Sequence, residues 1–98
     1  MRVKFDPQAK EELRAGIEFI NRARTGYGDK FNDEVEAYVA RIAKQPHQWP
    51  RTVAGCRKCR LKRFSYYLIY AEAIWGIYIV AVAHVKQRPD YWKTRLTV

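Results

Sequence analysis

The chain has 98 residues, 48% hydrophobic and 30% charged, with a formal net charge of +9. That length predicts one domain, residues 1–98, with room for a single core. No apolar run approaches the roughly 20 residues of a membrane helix, and Met1-Arg2-Val3-Lys4-Phe5-Asp6-Pro7 lacks the apolar stretch of a signal peptide, so the expected setting is the cytoplasm with no membrane partner.

In chain order, Arg2 to Phe5 alternates polar and apolar residues, as a short first strand does. Asp6-Pro7 starts a helix: the carboxylate can cap free amides, and proline costs nothing at the first helical position. Ala9, Leu13, Gly16, Ile17 and Ile20 make one apolar stripe on a helix over residues 7–23, and Glu11, Glu12, Arg14, Glu18 and Arg22 take its wet side. Thr25-Gly26-Tyr27-Gly28 ends it. A second helix carries Phe31, Val35, Tyr38, Val39 and Ile42 and stops at Pro46. So short a link makes the two an antiparallel hairpin whose stripes something else must cover.

His47 to Gly55 reads as a loop. Arg57 to Arg63 alternates, with Cys59 and Leu61 on one side and Lys58, Arg60 and Lys62 on the other. Tyr66 to Ala71 and Ile77 to His84 are strand-like runs joined by Glu72-Ala73-Ile74-Trp75-Gly76, a hairpin-length connection. The predicted class is α+β: an N-terminal strand and a helical hairpin packed on a curled, mainly antiparallel sheet of about four strands, then a short C-terminal helical turn.

Charge follows this division. Residues 1–36 hold seven Lys/Arg and eight Asp/Glu, whereas residues 37–98 hold twelve and two. A half that is basic throughout points to an anionic partner, nucleic acid or acidic protein. The C-x-x-C of Cys56 and Cys59 is half of a zinc site, but no second pair stands at ligand spacing, and His47 and His84 are 37 residues apart. On one strand the two thiols face opposite sides and cannot close a disulfide without distortion. They read as structural.

Lys58, Arg60 and Lys62 on one pleat face lie roughly 7 Å apart, near the phosphate spacing of a single nucleic-acid strand. Arg57 and Arg63 flank them, and Arg88, Lys93 and Arg95 follow the last strand. Tyr91 and Trp92 either stack bases there or staple the C-terminal tail onto the core. Attack of an RNA 2′-hydroxyl on its own phosphate needs a base, an acid and positive charge on the phosphorane. His84 has the right pKa range for acid or base, unless it is a strand-end histidine bonded to backbone. Tyr91 could assist, and no carboxylate set in this half suits a metal.

The chain resembles the RelE/ParE superfamily of toxins from type II toxin–antitoxin pairs over nearly its full length. The features that carry this are Phe5-Asp6-Pro7-Gln8-Ala9 with Glu12-Leu13, Phe31, Gln45-Pro46, Arg57-Lys58-Cys59-Arg60-Leu61, Phe64-Ser65-Tyr66-Tyr67-Leu68-Ile69-Tyr70, and Ala81-Val82-Ala83-His84 leading into Arg88-Pro89-Asp90-Tyr91-Trp92. The resemblance implies a small toxin neutralised by a cognate antitoxin, acidic and wrapped over the basic sheet face. RelE-like members cut messenger RNA on the ribosome without metal; ParE-like members inhibit DNA gyrase. Lys58 and Arg60 match the nuclease branch's basic strand, Arg88 the arginine after the last strand, and Tyr91 the C-terminal tyrosine. Ser65-Tyr66-Tyr67 departs from that branch's Gly-Tyr-Arg, losing a guanidinium. The leading expectation is mRNA cleavage with His84, Arg88 and Tyr91 catalytic, Lys58, Arg60, Lys62 and Arg63 on phosphates, and no metal or cofactor. The alternatives are a gyrase inhibitor without nuclease activity, or an inactive antitoxin-binding homologue.

Overall fold

In a computed structural model, which describes residues 1–96, Asp6 turns the chain from strand β1 (Arg2–Phe5) into helix α1 (Pro7–Ala23). Its carboxylate accepts from the Gln8 N–H at 2.9 Å and from the Tyr78 hydroxyl at 2.7 Å, so the cap is also a tertiary tie. Asn21 receives the N–H groups of Gly26 and Gly28 at the start of helix α2 (Tyr27–Lys44). A Cβ on Gly28 would sit 2.6 Å from the Ile17 carbonyl oxygen, so glycine permits the close approach of the helices. No helix among the described residues is long and apolar enough to cross a membrane.

After a short 3₁₀ turn (Val53–Gly55), strands β2 (Arg57–Arg60), β3 (Tyr66–Ala73) and β4 (Gly76–His84) form an antiparallel meander. β1 closes it in parallel against β4, giving the order β1-β4-β3-β2. Phe31, Val35, Ile42, Leu68, Tyr70, Ile77 and Ile79 fill the core between sheet and helices. A register shift at Ile69/Tyr70 bulges β4 at Val80, which joins Cys56, Ile69, Ala81 and Trp92 in a second cluster on the other face. The C-terminal segment, ending in a 3₁₀ turn (Lys93–Leu96), covers that face; Trp92 is 3% exposed. The tail aromatic therefore staples. The two cysteines are free and buried in different clusters, on opposite faces as the alternation predicts.

The basic strand is shorter than its alternation suggests. It ends at Arg60 rather than Arg63, because Glu34 of α2 accepts the N–H groups of Arg63 and Phe64 at 2.9 and 3.3 Å. The Arg60 guanidinium also bends back to the carbonyls of Leu61 and Phe64, each at 2.8 Å. Lys62 and Arg63 consequently lie on a turn, not on the pleat.

Candidate functional site

Lys58 and Arg60 project from the side of β2 opposite Cys59, which packs into the helix-covered core. The register sets Arg60 beside Tyr67, and both cations lean on that ring: Lys58 Nζ is 4.2 Å and the Arg60 guanidinium carbon 5.7 Å from its centroid. A cleft of about 120 Å³ opens there, lined by Lys58, Tyr67, Arg88, Asp90, Tyr91 and Trp92 among others. Among the described residues, none of the side-chain cationic groups of Lys58, Arg60, Lys62, Arg63 or Arg88 stands within 4.0 Å of a carboxylate; the arginines that are paired are Arg14, Arg22, Arg57 and Arg95. The cleft is therefore an anion-seeking surface with an aromatic floor.

His84 reaches the wall of this cleft, but its ring lies on the other side of the sheet. It meets Tyr66 edge-on at 5.0 Å, and Tyr66 in turn packs at 4.6 Å on Phe31 of α2. Nδ1 accepts the Lys86 N–H at 3.1 Å, which assigns the proton of the neutral ring to Nε2. The backbone N–H of His84 donates to Gln87 Oε1 at 2.9 Å, folding the following loop back on the strand end. Lys62 and Arg63 remain exposed on the β2–β3 turn, outside the cleft.

Tyr91 is engaged differently. Its hydroxyl donates to Glu12 Oε2 at 2.6 Å. Burial first, and then that carboxylate, push its pKa well above the ordinary tyrosine range. Arg95, which the sequence groups with the basic surface, is consumed by the same acid through bonds of 2.9 and 2.8 Å. Glu12 also accepts the Val82 N–H at 3.0 Å, at the edge of β4 beyond the end of β1. One carboxylate thus ties α1, the β4 edge and the C-terminal tail together. A hydroxyl so raised stays protonated near neutrality and is no base, and its proton is engaged by Glu12.

Of the residues expected to act together, the structure gathers Lys58, Arg88 and Tyr91, sets Arg60 beside them, and turns the His84 ring away. Sequence reading missed Glu12, placed on the wet side of α1, and Tyr67, noted only for the arginine it replaces. The signal for Tyr67 was its strand alternation with Ile69 and Ala71, which puts it on the cationic side of the sheet. For Glu12 nothing local distinguishes it from its neighbour Glu11. Among the described residues no group of three or more His, Cys, Asp or Glu side chains could hold a metal ion.

A solved structure titled "Chromosomal ParDE TA system from P. aeruginosa" superposes with a TM-score of 0.78 at 19% identity, over 88% of this chain and 97% of that chain. At that identity the likeness shows the fold. No curated protein matches the chain. Residues 3–89 match the family model described as the ParE toxin of the type II toxin–antitoxin system, parDE. A match over that much of the chain, on two helices packed against a four-stranded sheet, settles the family: the chain belongs to the ParE toxins of type II toxin–antitoxin systems.

Proposed function

We propose that this toxin arrests growth by binding its target and not by cutting RNA. The target is DNA gyrase, in the cytoplasm, and the neutralising partner is a cognate antitoxin with an acidic segment. The observation that carries this reading is the separation of the acid–base candidates. Tyr91 is held by Glu12, and the His84 ring packs on Tyr66 on the far side of the sheet. RNA cleavage by its own 2′-hydroxyl needs proton donor and acceptor on one phosphate, and that pair is not assembled. Lys58 and Arg88, unpaired among the described residues and set around Tyr67, instead suit capture of an acidic partner, whose approach they would accelerate. The family match supports the same branch.

The test sets two assays side by side with purified protein: supercoiling by gyrase, and integrity of messenger RNA in a translating extract. Loss of supercoiling with intact messages is the expected outcome. Ribosome-dependent cuts that disappear in His84→Ala or Arg88→Ala would overturn it.

A further inference from the structure

The β3–β4 hairpin turns on two residues, Ile74 and Trp75. Polar residues ordinarily occupy such a turn. Here Ile74 is fully exposed and Trp75 is 39% exposed. Ile74 contributes nothing to the core, and single exposed apolar residues are ordinary, but this pair has company. Gly76, at φ +152°, packs so tightly on β1 that a Cβ would stand 2.2 Å from the Arg2 carbonyl oxygen, which fixes the tip against the first strand. Arg2 and Lys4 alternate onto the same side of β1, and Lys4 Nζ lies 5.4 Å from the Trp75 centroid. The Trp75 ring is braced edge-on by Tyr78 at 6.4 Å. Neither Arg2 nor Lys4 has an ion pair among the described residues.

We propose that this tip, Ile74 and Trp75 flanked by Arg2 and Lys4, is a docking element that inserts into an apolar pocket rimmed by carboxylates on a folded protein, the target of the toxin. The proposal rests on the functional reading above and adds where contact is made. Shape selects the partner. The groove of about 270 Å³ lined by Val3, Leu13, Val35 and Val39 is concave and has the shape to take an extended or helical segment. The tip is convex, so it needs a concave surface that an extended chain does not offer. Charge selects the rim, because two unneutralised cations beside an apolar anchor are satisfied by carboxylates around the pocket mouth. A braced aromatic anchor also loses little side-chain freedom on docking.

The test measures binding of the full-length chain, wild type and Ile74→Ser/Trp75→Ser, to three probes: purified gyrase, a naked 30-base-pair duplex, and vesicles of phosphatidylglycerol. Thermal unfolding of each protein is recorded alongside. Ile74→Ser alone serves as the second variant, since a fully exposed side chain can change without touching the fold. The expected result is at least 100-fold weaker gyrase binding by the double variant and at least 5-fold by Ile74→Ser, with unchanged unfolding temperature for Ile74→Ser. Gyrase binding within 3-fold of wild type in both variants overturns the tip and leaves the functional reading standing. Wild-type protein that does not bind gyrase overturns that reading and the partner with it. A loss seen only on duplex or only on vesicles also overturns the proposal, by assigning the tip to nucleic acid or to lipid.

Discussion

Replacing Glu12 by alanine tests whether one carboxylate holds the tail on the sheet. Glu12 accepts four hydrogen bonds, from Val82, Tyr91 and both terminal nitrogens of Arg95. The Arg95 side chain is 8% exposed and that of Glu12 18%. Removing one partner of a buried ion pair costs about 3–5 kcal/mol, because the remaining charge stays desolvated. The residual exposure of Glu12 favours the low end, about 3 kcal/mol. At roughly 4–8 °C per kcal/mol for a domain of this size, the melting temperature should fall by about 12–24 °C. Urea unfolding of Glu12→Ala, Arg95→Ala and the double variant separates the pair from its surroundings. Once Glu12 is gone, removing Arg95 should cost little, leaving a coupling of about 2 kcal/mol or more. A Glu12→Ala loss below about 1 kcal/mol, or strictly additive single effects, would refute the clamp.

Burial pushes the Cys56 thiol up to about 11 and the Cys59 thiol up to about 12, from an ordinary 9.0; it is also the main cause that raises Tyr70 from 10.0 to about 12. Folded values above unfolded ones mean stability that is complete below pH 9 and lost as pH rises toward 11–12. Urea midpoints at pH 8 and pH 11 should differ in that direction, and both thiols should resist a disulfide reagent at pH 8 until the chain unfolds; equal midpoints would contradict this. Gly76→Ala should cost at least about 2 kcal/mol, from its left-handed backbone and the clash with Arg2. A melting temperature within 2 °C of wild type would sink that account.

The local grammar of the chain determined its elements. Asp6-Pro7 marked the start of α1, and the stripes of Leu13, Ile17 and Ile20 and of Phe31, Val35 and Ile42 gave both helices their buried sides. Alternation placed Cys56 and Cys59 on opposite faces and set Lys58 with Arg60. These signals act over two to four residues, which is why they survive in a single sequence. What the tertiary structure decided spans far more chain. Glu34 ends β2 from 29 residues away, and Glu12 reaches Val82, Tyr91 and Arg95 across 70 to 83. The register shift that bulges β4 at Val80 turns His84 to the helix side, against Tyr66, and the tail packs Trp92 into the second cluster. Periodicity assigns a side chain to a face but does not name what the fold brings against that face. The distinction between a basic strand and a catalytic site was therefore decided by contacts that no local pattern encodes.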